Sequence, residues 1–221
     1  MRRMFDLLKG ISRKQQFIRL NTAFRSDLVW WYVFLEKWNG TSMMPTELKT
    51  PRYHLITDAS GTFDCGAYSE SRWLQYQWPI ETEAWSIAVK ELIPIVMALV
   101  LWGQYWNGNV VLIQCDNRAV VDVLNSGWAK DSLLMHLLRC VFFISAHFEV
   151  SVKAAHIPGR ENIAAEALSR NNLSLFRSQV PQADPESTPI PGELVDLLVH
   201  QQPDWMSTAW SRLFRNCLRQ A

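Results

Sequence analysis

Val110 to Cys115 is a nearly continuous apolar run, preceded by the turn Gly108-Asn109 and followed by Asp116-Asn117. A strand of that composition is buried on both faces, which happens when helices cover a sheet containing parallel strands. Helical patterns flank it on both sides. Ile87 to Trp102 precedes it and is apolar except for Lys90 and Glu91, while about Arg118 to Leu124 and about Ser132 to Ala146 follow it. A further strand spans about Glu149 to His156 and is broken by Pro158-Gly159, after which Asn162 can cap a last helix running through Arg170. Upstream, Tyr53 to Asp58, Phe63 to Ser69 and Arg72 to Gln77 read as short strands, the first two joined by the turn Ala59-Ser60-Gly61-Thr62. The order β-β-β-α-β-α-α-β-α predicts an α/β domain with a mixed central sheet over residues 51–170.

The flanks differ in character. Residues 1–50 carry nine basic and four acidic side chains, residues 51–170 nine and twelve, and residues 171–221 four and five. Asn21 to Leu35 places Phe24, Leu28, Trp31 and Leu35 at helical spacing, with Asn21 as cap and Asn39-Gly40 as stop, so 1–50 is expected as a helical connecting segment. Pro181, Pro185, Pro189 and Pro191 predict an extended linker over 171–192. Residues 193–221 are expected to begin a further helical region, with helices near Glu193 to His200 and Trp205 to Arg219. The sequence stops within that pattern, as a piece of a longer polypeptide would.

Composition removes several classes. A 48% hydrophobic content excludes disorder throughout, and 22 basic against 21 acidic residues give no global case for a nucleic-acid or membrane partner. The longest apolar run, Leu92 to Trp102, is interrupted by Pro94 and falls short of the roughly 20 residues that span a bilayer. No membrane partner is expected. Arg2, Arg3, Lys9, Arg13 and Lys14 lack a following apolar stretch and cleavage site, so no secretory signal is read. Cys65, Cys115, Cys140 and Cys217 lie far apart without C-x-x-C pairing, favouring reduced thiols and an intracellular setting over disulfides or zinc. Five of the eleven tryptophans lie in the flanks and six inside 51–170, where core packing is their plainest role.

Chemistry is concentrated in the acidic middle. Asp58 and Asp116 each follow an apolar strand, at the carboxyl edge where open α/β sheets collect ligands. Glu91 and Glu166 lie on helices among apolar neighbours. Four such carboxylates are costly to bury as ions unless a cation neutralises them. Oxygen ligands without Cys or clustered His favour Mg²⁺ or Mn²⁺ over Zn²⁺. Two such ions about 3.5 to 4 Å apart activate water and stabilise the leaving oxygen in phosphodiester displacement. Each residue also has a structural reading on its own: Asp58 and Asp116 as turn or helix caps, Glu91 as a solvated or ion-paired residue, Glu166 as an i,i+4 partner of Arg170. His156 is either a structural histidine or a proton-shuttling ring beside the metals.

Taken together, Thr57-Asp58-Ala59-Ser60, Lys90-Glu91-Leu92, Cys115-Asp116-Asn117 and His156-Ile157-Pro158-Gly159-Arg160-Glu161-Asn162 through Ala165-Glu166-Ala167-Leu168-Ser169-Arg170 resemble the ribonuclease H domain of reverse-transcribing retroelements. The flank residues Ile18-Arg19-Leu20-Asn21, Phe24-Arg25, Trp30-Trp31 and Trp38-Asn39-Gly40 are similar to the polymerase-to-ribonuclease H connection of DIRS-type, tyrosine-recombinase retrotransposons, and within 51–170 Leu101-Trp102-Gly103 and Leu133 to Arg139 also resemble that group. The resemblance implies a ribonuclease H-like fold and a metal-dependent endonuclease that cuts the RNA strand of RNA/DNA hybrids during retroelement reverse transcription. It implies Asp58, Glu91, Asp116 and Glu166 as catalytic ligands of two Mg²⁺ or Mn²⁺ ions, and His156 as an aid to proton transfer or product release. Polymerase and recombinase parts of the same element are the implied protein partners, although no polymerase Asp-Asp motif is present.

Two positions depart from the family pattern. Glu166 stands where Asp is usual, and Pro94 lies near Glu91. If the helix begins near Glu91, Pro94 falls in its first turn at little cost; if it begins earlier, Pro94 removes the bond to the Lys90 carbonyl, costing about 3 kcal/mol or a kink. The alternative function is therefore a catalytically degenerate or co-opted module that binds nucleic acid or protein without cleavage. Its binding surface would be the basic first fifty residues, including Arg19 and Arg25, for which a solvated amphipathic face is the plainer reading.

Overall fold

The computed structural model describes residues 17–37 and 50–199, together with Leu7, Ile11 and Gln15. Two compact units divide between Gly40 and Thr41. In the first, Asn21 caps helix α1 (Thr22–Lys37): its Oδ1 accepts the Phe24 N–H at 2.9 Å. Leu28, Trp31 and Leu35, expected as an apolar face, are exposed. The expected Asn39-Gly40 stop, Trp38, Arg2, Arg3, Lys9, Arg13, Lys14, the helix over 205–219 and Cys217 all lie outside the described residues.

The second unit is the α/β arrangement expected, built on a mixed five-stranded sheet. Strands β1 (Tyr53–Ala59), β2 (Asp64–Ser69) and β3 (Arg72–Gln77) form the antiparallel meander. Strand β4 (Val110–Cys115) joins β1 in parallel, and β5 (Ser151–His156) joins β4 in parallel, giving the order β3-β2-β1-β4-β5. Helices α2 (Ile87–Trp102), α3 (Arg118–Ser126), α4 (Ser132–His147) and α5 (Ile163–Ser169) supply the cover that the apolar strands require. Strand β5 begins two residues later than its pattern suggests. Glu149 takes a φ of 55°, and the Val150 N–H bonds back to the Ser145 carbonyl, so both belong to the turn leaving α4.

Helix α2 is the core element and packs on β1, β2 and α4. Its start at Ile87 settles the position of Pro94: the proline lies in the helix interior, so the bond to the Lys90 carbonyl is lost while the helix continues to Trp102. With the 3-10 turn that follows it, the segment Ile87–Trp106 is long and apolar enough to cross a membrane by length and composition, contrary to the expectation from Leu92 to Trp102. Yet 78% of its most apolar 18 residues are buried inside the fold, where the helix serves as core. Of the six tryptophans expected in the core, Trp73, Trp78, Trp102 and Trp106 are buried, whereas Trp85 is half-buried and Trp128 exposed; Cys65, Cys115 and Cys140 are free and buried.

The Pro-rich stretch differs from a linker. Residues 173–179 form helix α6, and Phe176 enters a cluster with Trp73, Leu168 and Val180. The segment that follows has no regular structure but is strapped to the edge of β3: the Asp184 and Thr188 N–H groups donate to the Ser71 and Trp73 carbonyls, both at 2.8 Å. Arg177 donates to the carbonyls of Ala183, Asp184 and Pro185, and Trp102 Nε1 donates to Thr188 Oγ1. Helix α7 (Gly192–Val199) then buries Leu194, Leu197 and Leu198. Prolines keep such a strap extended and remove donors that an edge would leave unpaired. On the opposite edge, Asn125 grips β5: its Nδ2 donates to the Ala154 carbonyl at 2.9 Å and its Oδ1 accepts the Ala154 N–H at 3.1 Å.

Candidate metal centre

Because Ile56 pairs with Gln114 across parallel strands, Asp58 near the end of β1 and Asp116 just past β4, each two residues further on, come side by side at the carboxyl edge of the sheet. Glu91 reaches the same point from the first turns of α2, whose N-cap Ser86 accepts the Val89 N–H at 3.4 Å. Carboxylate oxygens of Asp58, Glu91 and Asp116 lie within 4.8 Å of one another. Glu91 is 3% exposed and Asp58 8%. Three of the four expected ligands therefore converge.

The fourth is turned aside. Glu166 lies on α5 and lines the same cleft, but its Oε1 is 2.9 Å from Arg170 Nη2, the i,i+4 pairing that its spacing allowed. His156 is exposed, and its Nε2 lies 3.1 Å from the Asp116 backbone carbonyl. The loop from Pro158 comes close on the same side, since a Cβ at Gly159 would stand 3.2 Å from Asp116 Oδ2. Around the carboxylates opens a cleft of about 910 Å³, whose wall includes Phe63, Ile87, Arg118, Arg160 and Arg170.

The charges in this cluster are held under strain. Burial, followed by the charges of Asp58 and Asp116, pushes the Glu91 carboxyl up to about 9, against a hydrogen bond from the Ala59 backbone. Burial likewise pushes Asp58 up to about 6; a hydrogen bond from Ser169 opposes this, and the Asp116 and Glu166 charges add to it. Glu91 Oε2 is buried without a hydrogen-bond partner. Among the described residues no ion pair reaches Asp58, Glu91 or Asp116. A buried orphan oxygen among close carboxylates is the environment that a hard divalent cation satisfies. Nearby thiols do not compete, because burial pushes Cys115 up to about 12 and Cys65 well above its ordinary value.

Three supporting residues were not visible as such in the sequence. Asn162 stands at the N-cap position of α5 but makes no capping bond; its Nδ2 instead donates to the Thr57 carbonyl at 3.0 Å and to Asp58 Oδ1 at 3.5 Å. Ser169, fully buried, donates to Asp58 Oδ2. Lys90 is 2% exposed, and its Nζ donates to the Gly61 carbonyl at 2.5 Å while lying 5.6 Å from the Trp78 ring. Trp78 Nε1 holds the Ser60 carbonyl at 2.8 Å, so the turn beside Asp58 is anchored twice. In the sequence Lys90 shows as a cation in an otherwise apolar helix and as part of the Lys90-Glu91-Leu92 motif, neither of which gives it this role. Close approach of α5 to the sheet depends on Gly66, where a Cβ would land on the Leu168 side chain.

No protein-family model and no curated protein matches this chain. Among solved structures it is similar to the RNase H1 of the halophilic archaeon Halobacterium salinarum NRC-1, at 12% identity over 55% of this chain and 96% of that one, with a TM-score of 0.39. It is also similar to LC11-RNase H1, isolated from compost by a metagenomic approach (16% identity, 57% and 97% coverage, TM-score 0.41). A third similar structure is LC11-RNase H1 in complex with an RNA/DNA hybrid (15% identity, 56% and 97% coverage, TM-score 0.42). Each is spanned over nearly its whole length by little more than half of this chain.

Proposed function

We propose that this chain is a metal-dependent endonuclease of the ribonuclease H type, cutting the RNA strand of RNA/DNA hybrids in retroelement reverse transcription. The observation that carries the proposal is the convergence of Asp58, Glu91 and Asp116 within 4.8 Å at the mouth of an open cleft, with one Glu91 oxygen buried and unpartnered. The DIRS-type motifs support the retroelement setting, in which polymerase and recombinase segments would be its partners.

Asp58, Glu91 and Asp116 would hold Mg²⁺ or Mn²⁺, with Glu166 joining once Arg170 releases it. Bound there, the cations supply activation of water and stabilisation of charge on the leaving oxygen. Arg118 and Arg160 on the cleft wall are placed to meet backbone phosphates. His156, exposed beside Asp116, can take up or deliver a proton at its free ring nitrogen. Contacts to 2′-hydroxyls would separate RNA from DNA.

Titration of Mg²⁺ or Mn²⁺ into the purified chain with a labelled hybrid tests this. Cleavage is expected to rise with metal, vanish in chelator, and fall on the order of 10²–10³-fold in Asp58→Asn and Asp116→Asn. Equal cleavage by those variants would end the proposal.

The Glu166–Arg170 pair favours a second reading, in which the fold binds hybrid without cutting it. Glu166→Asp separates the two. A shorter side chain reaches Arg170 less well, so cleavage is expected to rise on the order of tenfold if positioning of this carboxylate limits the rate. Hybrid binding with no cleavage in either form supports the second reading.

A further inference from the structure

Asp58 is held at both carboxylate oxygens by residues at the two ends of α5. Asn162 donates to Oδ1 at 3.5 Å and to the Thr57 carbonyl at 3.0 Å, while Ser169 donates to Oδ2. Both donors are essentially buried, at 1% and 0% exposure, and they bracket α5, one at each end. Ser169 has a second acceptor within reach, the Glu166 carbonyl at 3.0 Å, where a helical serine ordinarily places its proton. A hydroxyl has one proton to give, and donation to an ionised carboxylate is the stronger of the two bonds. The serine is therefore committed to Asp58 at the expense of its own helix.

We infer that Ser169 is a positioning residue for the cation site: its hydroxyl, with the Asn162 amide, fixes the rotamer of the Asp58 carboxylate so that α5 serves the metal centre through Asp58 as well as through Glu166. This rests on the reading of the cleft as a cation site. It also explains how Asp58 is oriented while Glu166 faces Arg170. Outer partners of this kind orient ligands, and their loss typically costs about 10–100-fold in metal affinity.

Calorimetric titration of Mn²⁺ into the full chain, without nucleic acid, gives the readout. Ser169→Ala is expected to raise the Mn²⁺ Kd about 10–100-fold. Ser169→Thr, which keeps the donor, is expected to stay near the wild-type value. In hybrid cleavage, the half-saturating Mn²⁺ concentration of Ser169→Ala should rise by the same factor, with the rate recovered at saturating metal. Should Ser169→Ala fail to fold, Ser169→Cys keeps the volume with only a weak donor, and the same rise in Kd is expected. Unchanged Mn²⁺ affinity in a folded Ala or Cys variant overturns the inference alone. A wild-type chain that binds no Mn²⁺ at millimolar concentration overturns both the inference and the cation-site reading beneath it.

Discussion

Glu91→Gln is expected to stabilise the metal-free protein and to abolish cleavage together. The Glu91 carboxyl titrates near 9 in the folded chain against an ordinary value of 4.5. Between those values the folded state binds a proton that the unfolded state has released, so stability falls as pH rises through that window. At pH 7 this costs about 3 kcal/mol, since each unit of displacement is worth about 1.4 kcal/mol. Glutamine keeps the shape and the acceptor for the Ala59 N–H but has no proton to lose. The Tm in chelator should therefore rise on the order of 5–10 °C at neutral pH, with a flatter dependence on pH above about 4.5. Cleavage in saturating Mg²⁺ should drop on the order of 10²-fold or more, because a ligand charge is gone. Thermal melts across pH with chelator, beside hybrid cleavage, check both halves. A destabilised Gln variant would show that the carboxyl is not the burden its burial implies.

Phe176→Ala should be among the most damaging single changes outside the site. Phe176 is fully buried, with its ring 5.3 Å from Trp73 and 5.9 Å from Tyr68 by centroid. Truncating a large buried aromatic costs about 3–5 kcal/mol, or roughly 10 °C in Tm for a unit of this size. The consequence goes beyond a cavity. Arg177, the next residue, gathers the carbonyls of Ala183, Asp184 and Pro185, and its guanidinium lies 5.1 Å from the Trp73 ring. Loss of Phe176 therefore loosens the strap on β3, and a chain cut after Arg170 should show cooperative unfolding only at much lower temperature or none. A truncated chain that melts like the full one would mean that 171–199 contributes nothing to the fold.

Local pattern was enough for most of the sheet and its cover. The ends of β1, β3, β4, α2, α3 and α4 fall within two residues of where periodicity puts them, because alternation and apolar runs are short-range signals. Three of the carboxylates could be placed together because two end parallel strands and one opens the core helix. The strap could not be seen: four prolines in eleven residues look the same in a free linker and in an extended segment bonded to an edge strand, and only the distant partners Ser71, Trp73 and Trp102 distinguish them. Asn162 misled for a related reason. Its position is that of a cap, but its amide is drawn off by Thr57 and Asp58, more than one hundred positions away. Glu166 was ambiguous between a ligand and a partner for Arg170, and a four-residue spacing serves either.

Both outer strands of the sheet have some of their outward backbone groups engaged. At β3 the carbonyls of Trp73 and of Ser71, just before the strand, accept from the strap, and on β5 the amide of Ala154 is occupied by Asn125. A row of unpaired groups on an outermost strand is a template for adding a foreign strand, which is how many sheets self-associate into fibrils or swapped dimers. At Ser71, Trp73 and Ala154 a second chain gains nothing until it displaces what is already bonded, which blunts strand addition at those points of the two edges.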